Sequence, residues 1–174
     1  MTEKKEKEFI PVNIAVLTIS DRRTLENDDS GDLLVDQLQS YGHKLKERNI
    51  CKDDRYQIRA ILSEWIVNES VQAVITTGGT GITGSDGTPE AIKPLLDKII
   101  DGFGEMFRNL SYQNIKTSSL QSRAFAGVAN GTFIFCLPGS PGACKDGWNF
   151  LIKDQLDNRT KPCNLVDLMP RLKE

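Results

Sequence analysis

The chain has 174 residues, 39% of them hydrophobic and 26% charged, with a formal net charge of -2 and a pI near 5.5. That is one domain's worth of sequence, with apolar side chain enough for a single sizeable core. Nothing in that balance favours a nucleic-acid phosphate backbone, which needs a basic face, and no apolar run reaches the ~20 residues that cross a bilayer.

The N-terminus, "MTEKKEKEF", is charged and lacks the apolar centre of a signal peptide. Residues 1–8 therefore read as a solvated arm, residues 9–158 as a single domain and residues 159–174 as an extended tail packed on the domain or on a neighbouring subunit. A cytoplasmic location is expected, with neither a nucleic acid nor a membrane as partner.

"VNIAVLTIS" (12–20) is a continuous apolar run rich in β-branched residues, as in a strand buried on both faces. A polar loop follows. Leu33, Leu34, Leu38 and Tyr41 then recur at helical spacing, and Gly42 ends that helix. His43, just beyond it, reads as a favourable charge at a helix C-terminus. "HKLKERNI" (43–50) is a second strand near a sheet edge, because its alternate residues are charged. Ile58, Ile61, Leu62, Trp65 and Ile66 make the apolar stripe of a second helix, with Asp53 or Asp54 as its cap. "VQAVITT" (71–77) is a third strand.

Thr88-Pro89-Glu90 reads as helix cap, first helical position and dipole-complementing acid, and Pro94 predicts a kink or break soon after. Residues 103–127 read as helical, in two pieces around "IKTSS". "TFIFCLP" (132–138) is a fourth strand. A last helix opens at "SPGACKDGWNFLIKDQL", with Cys144, Trp148, Leu151, Ile152 and Gln155 in register. Strands alternating with helices predict an α/β fold with a mostly parallel sheet covered on both sides.

Three buried strands end in unusual loops: "TISD" (18–21), "TTGGTG" (76–81) and "LPGSPGA" (137–143). In an open parallel sheet the carboxyl ends of the strands share one edge, and ligands bind there. Glycines in "TTGGTG" allow a ligand close to bare N–H groups, and a helix start follows. The loop is neither a Walker A sequence nor GxGxxG, so a tight connection explains it as well as a phosphate cradle does. Asp86 reads either as a turn-forming carboxylate or as a magnesium ligand, with Asp53 and Asp54 as the other nearby acids. Ser20 and Asp21 read as turn residues or as ligand contacts, and Ser140 as a helix cap. Four cysteines without a CxxC pair and a single histidine argue against zinc. Cys136 reads as a small buried apolar residue.

"EFIPVNIAVLTISDRR", "RYQIRA", "TTGGTG" with "DGTPEA", "DGFGEMFR", "TSSLQSRAFAGVANGT", "LPGSPGA" and "RTKPCN" together resemble the MoaB/MogA family of molybdenum-cofactor biosynthesis proteins, most of all its MoaB branch. The likeness runs from about Phe9 to Asn164. It implies a three-layer α/β/α fold, assembled as trimers or hexamers, and possible work alongside other cofactor-biosynthesis enzymes. It implies adenylylation of molybdopterin by Mg-ATP with release of pyrophosphate, or, as a second reading, a member that binds the pterin without turning it over.

Carried over by resemblance, Thr77, Gly78, Gly79, Thr80 and Gly81 hold the nucleotide phosphates. Asp86 and Asp53 carry Mg²⁺ and are the catalytic carboxylates. Ser20 and Asp21 line the pocket, and Pro138, Gly139 and Ser140 face the pterin. Arg123 contacts a phosphate, with a surface salt bridge as its plainer reading. Active relatives commonly have an arginine directly before the loop aspartate. Here that residue is Ser85, which removes a cation from beside a crowded polyanion. Arg22 and Arg23 are candidates to supply that charge.

Overall fold

The structure is a computed structural model and describes residues 7–174. Of the expected arm, residues 1–6 lie outside the described residues. Lys7 Nζ reaches Asn158 O at 3.1 Å and pairs with Asp167 at 2.9 Å.

Six strands form one sheet: β1 (Asn13–Ile19), β2 (Lys44–Cys51), β3 (Ala73–Thr77), β4 (Lys98–Ile99), β5 (Phe125–Ala129) and β6 (Thr132–Leu137), in the order β2-β1-β3-β6-β5-β4. The first four in that order run parallel, and the last two are added antiparallel. β2 lies at the edge, where its alternating charged residues meet solvent. The central strands are buried on both faces.

Helices cover both faces of this sheet. On one, Ile14 and Val16 of β1 and Phe133 and Phe135 of β6 pack under α1 (Asp29–Tyr41), α4 (Asp101–Ile115) and α5 (Pro141–Gly147) through Leu34, Leu38, Phe107 and Cys144. On the other, the alternate residues Ala15, Leu17, Ile134 and Cys136 meet α2 (Arg55–Val67) and α3 (Thr88–Ile92) through Ile58, Leu62, Trp65 and Ile92. The period-2 alternation of a strand divides one apolar run between two cores.

Gly42 caps α1 in the left-handed conformation, φ 106°, as its position predicts. α3 stops at Ile92 and Pro94 lies in the 3-10 turn that follows (Lys93–Leu95). Several expectations are corrected. The segment 103–127 is helical only to Ile115. A 3-10 turn (Lys116–Gln121) follows, then β5, whose small residues form a strand because β6 offers an antiparallel partner. The last helix is interrupted: α5 continues through a π-helical turn (Trp148–Ile152) into one final turn (Lys153–Gln155).

The tail is not extended throughout. Val166–Arg171 is a 3-10 turn, and Val166 is buried in the chain's own core, with Leu165 and Met169 against it. His43 is not a helix-end cation. It sits buried among Phe9, Tyr41 and Trp148, its Nδ1 accepts the Val12 N–H, and burial holds its pKa down to about 4, so it is neutral at pH 7.

Candidate functional site

Strand register brings the three loops together. Thr18 of β1 lies beside Thr77 of β3, and Thr77 beside Leu137 of β6. Adjacent strands are about 4.8 Å apart, so the three chains leave the sheet within about 10 Å of one another. The second and third loops are then joined directly to each other, and the first is joined to the segment between β2 and α2. Gly78 N donates to Leu137 O at 3.0 Å, and Thr77 Oγ1 donates to Pro138 O at 2.9 Å. Ser20 N donates to Cys51 O at 2.9 Å, and Asp53 N to Asp21 Oδ1 at 3.2 Å.

The glycines are there because carboxylates and backbone occupy the space of a side chain. A Cβ on Gly78 (φ 109°) would lie 2.1 Å from the carbonyl oxygen of Ile19. One on Gly79 (φ 64°) would lie 2.5 Å from Asp53 Oδ2, and one on Gly81 would lie 2.6 Å from Asp86 Oδ2. The two acids are thus packed against the glycine-rich loop itself.

Asp54, not Asp53, caps α2, accepting the N–H groups of Tyr56 and Gln57 at 3.0 and 2.8 Å. Asp53 is left to face the loop, where it accepts the Gly87 N–H at 3.1 Å. Burial raises its pKa, the Gly87 hydrogen bond opposes that, and Asp86, Asp21 and Glu90 add repulsion, so the net shift is upward. Asp86 moves the other way. Burial pushes it up, but the Thr83 hydroxyl and N–H outweigh this and hold it below the usual carboxylate range. Thr88 does not cap α3; Gly87 holds that position, and the Thr88 hydroxyl donates instead to Gly78 O at 2.8 Å.

Arg123 is committed to the loop. Its backbone N–H donates to Thr80 O at 2.9 Å, Nε to Gly81 O at 2.6 Å and one terminal nitrogen to Asp86 O at 2.7 Å, while the other pairs with Glu90. Each side-chain nitrogen therefore makes one hydrogen bond, which uses three of the five N–H groups. Ser140 caps α5, accepting from Ala143 N at 3.3 Å, and the Ser20 hydroxyl accepts from the Arg22 and Arg23 N–H groups at 3.2 Å. Arg23 reaches Asp29 and the Asn27 carbonyl.

Two cavities open at this rim. A wide one of about 380 Å³ is lined by Arg55, Thr83, Asp86, Gly87, Glu90 and Arg123, within the range usual for ligand sites. A narrow one of about 60 Å³ lies between the first and third loops, with Thr18, Asp28, Ser30 and Gly139 in its wall. The sequence reading missed its floor. Asp28, fully buried, caps α1 through the Gly31 N–H, accepts from Thr18 Oγ1 at 2.7 Å and pairs with Arg48 at 3.0 Å. The available signal was its place just before the periodic residues of α1.

No group of three or more His, Cys, Asp or Glu is gathered among the described residues. Asp53 and Asp86 nonetheless suit a hard divalent cation. Repulsion between neighbouring carboxylates is what a cation relieves, and Mg²⁺ is commonly held by one or two carboxylates with phosphate oxygens. Burial pushes the Cys144 and Cys51 thiols up to about 11 and Cys136 to about 12, which keeps them in the protonated, unreactive form at neutral pH.

Residues 15–158 match the family described as "Probable molybdopterin binding domain". The chain belongs to this family. Among curated members, molybdenum cofactor biosynthesis protein B of Escherichia coli (strain K12) is 54% identical over 157 residues, which is 90% of this chain and 92% of that protein. The crystal structure of a molybdenum cofactor biosynthesis protein B superposes with a TM-score of 0.83 at 43% identity, covering 86% of this chain and 94% of the other. The tungsten cofactor synthesizing protein MoaB from Pyrococcus furiosus does so with a TM-score of 0.77 at 32% identity, covering 94% and 98%. The three-layer α/β/α architecture that the resemblance implied is the one this chain shares with those solved structures.

Proposed function

We propose that this chain binds molybdopterin at the rim formed by the three loops and adenylylates it with Mg-ATP, releasing pyrophosphate. The observation that carries the reading is the joining of a glycine-rich loop with positive-φ backbone, two inward-facing carboxylates and a helix start at the carboxyl edge of a parallel sheet.

The nucleophile in such a transfer is a phosphate oxygen, already ionised at neutral pH. No histidine base is required, which suits a chain whose one histidine is neutral, buried and among aromatic rings. The pterin phosphate attacks the α-phosphorus of ATP, and the bond from that phosphorus to the bridging oxygen breaks, so pyrophosphate leaves. Repulsion between anions is the obstacle, and positioning with electrostatic compensation is the remedy. Mg²⁺ would neutralise phosphate charge where Asp86 and Asp53 face the loop. Gly78, Gly79, Thr80 and Gly81 would receive phosphate oxygens, and Ser20, Asp21, Pro138 and Gly139 would border the pterin.

In this reading Arg123 shapes the loop: three of its five N–H groups go to Gly81, Asp86 and Glu90, and its charge is already paired with Glu90. Ser85 adds only a hydroxyl, 3.2 Å from that of Thr83. The lack of an unpaired cation in the loop itself favours the second reading, a non-catalytic member that binds and hands on the pterin. Incubation with molybdopterin, Mg²⁺ and ATP separates the two. Pyrophosphate release is the result expected from the enzyme. Pterin binding without release would leave the carrier.

The same resemblance supports a homo-oligomer, a trimer or paired trimers. The tail gives it little support, since Val166 is covered by the chain's own core. Exposed Met106 and Phe150, beside an apolar cavity of about 420 Å³, support it better.

A further inference from the structure

α2 begins with a cation at the end where a helix favours an anion. Arg55 is its first residue and no acidic side chain lies in the first turn, so the charge meets the positive end of the helix dipole. The one acid beside it, the capping Asp54, spends its carboxylate on the Tyr56 and Gln57 N–H groups and does not pair with it. Among the described residues Arg55 takes part in no ion pair and its side chain makes no hydrogen bond, whereas Arg23, Arg59 and Arg123 are all engaged.

The helix face that carries it is nevertheless fixed. Arg59 lies four residues on, on the same face of the helix. Nε of Arg59 donates to Ala91 O and a terminal nitrogen to Glu90 O, each at 3.0 Å, which pins α2 to α3. One turn earlier, Arg55 lines the 380 Å³ cavity together with Asp86 and Glu90. Within that cavity Glu90 is paired with Arg123, and the Asp86 carboxylate is held by Thr83. Arg55 is the cation in the wall with no partner.

We infer that Arg55 receives the phosphate oxygens of a nucleotide bound against Asp86, supplying from α2 the positive charge that Ser85 does not supply from the loop. The inference rests on the nucleotide-binding reading above. The role asks for positive charge within reach of phosphate oxygens, which a guanidinium always carries and a lysine ammonium also supplies. An unfavourable position on the helix is tolerated where a ligand anion meets the charge.

The test is calorimetric titration of the full chain with Mg-ATP, and separately with magnesium pyrophosphate, alongside Arg55→Ala, Arg55→Lys and Arg55→Glu. Wild type is expected to bind both ligands. Arg55→Ala should lose affinity about tenfold or more, Arg55→Glu should lose more still, and Arg55→Lys should stay within a few-fold of wild type. Arg55→Glu also places an anion at the helix start, so its melting temperature should equal or exceed wild type, and lost binding then cannot be lost folding. Wild type that binds Mg-ATP with Arg55→Ala binding it equally well would overturn the inference and leave the reading standing. A lysine variant as weak as the alanine variant would also overturn it. Wild type that binds neither ligand would remove the nucleotide reading and the inference together, before any variant is needed.

Discussion

Asp53 Oδ1 accepts the backbone N–H of Gly87 at 3.1 Å, so the residue before the cap of α2 holds the residue that starts α3. Burial and the charges of Asp86, Asp21 and Glu90 raise the pKa of the same carboxyl. A carboxyl whose folded pKa lies above its unfolded value binds more protons in the folded state, so its contribution to stability falls as pH rises through that window. Asp53→Asn keeps an acceptor for Gly87 and removes the charge. In metal-free buffer at pH 7 it should melt higher than wild type, and the difference should vanish below about pH 4. Any stabilisation by Mg²⁺ should be lost with it. Thermal melts across pH, with and without Mg²⁺, check this; a variant that melts lower at every pH would refute it.

Asp86 is held as an anion by Thr83 against its own burial. Asp86→Asn should abolish pyrophosphate release while leaving pterin affinity close to wild type. Fluorescence titration with molybdopterin and a coupled pyrophosphate assay on one preparation give both readings. Unchanged turnover would remove Asp86 from the mechanism.

Two alanine substitutions in the glycine-rich loop should differ in severity. At Gly78 the new Cβ would lie 2.1 Å from a backbone oxygen of β1, which moves only if the strand moves. At Gly79 the neighbours within 2.5 Å are the side chains of Thr88 and Asp53, which can rotate. Both residues have positive φ, which costs on the order of 1–3 kcal/mol for a side-chain-bearing residue. Chemical denaturation should show Gly78→Ala losing the most stability, and Gly79→Ala less.

Arg123 holds the carbonyls of Gly81 and Asp86 with one side chain. Its replacement by alanine leaves both without that donor and should cost about 1–3 kcal/mol. The effect should concentrate on residues 80–87, seen as faster amide hydrogen exchange there than in β1 or β3. Arg123→Lys should recover little, because an ammonium cannot reproduce the fork.

Far from the site, the Arg159 side chain makes three hydrogen bonds to Asp157 at 2.9, 3.2 and 2.7 Å, lies over the Phe9 ring, and with Tyr41 holds the Asp157 carboxyl well below its ordinary range. A depressed carboxylate stabilises the fold above its unfolded pKa and loses that contribution as pH falls. Arg159→Ala should therefore melt well below wild type at neutral pH, and the gap should narrow as pH falls from about 4. A gap that is constant with pH would point to lost packing on Phe9 instead.

Periodicity and turn chemistry are local properties, and they were enough for β1, α1, α2, β3 and β6, for the Gly42 cap, for the break at Pro94 and for the layered α/β class. The loops after β1, β3 and β6 were legible for the same reason: glycine, proline and a lone acid at a strand end stand out against an apolar run. Residues whose state depends on a distant partner were not legible. "FAGVA" is small and follows a helical stretch, and it is a strand only because β6 folds back beside it. Asp28 looks like one polar loop residue among many until Thr18 and Arg48, from two strands, close around it. His43 carries an ordinary helix-end signature, and only its burial among three rings removes its charge. Asp53 and Asp54 are adjacent and chemically identical, and the direction of α2 alone decides which one caps and which one faces the loop. Side-chain spacing along a chain determines which faces are apolar. Burial, charge state and the committed or uncommitted condition of Arg123 and Arg55 follow from what the fold sets opposite them.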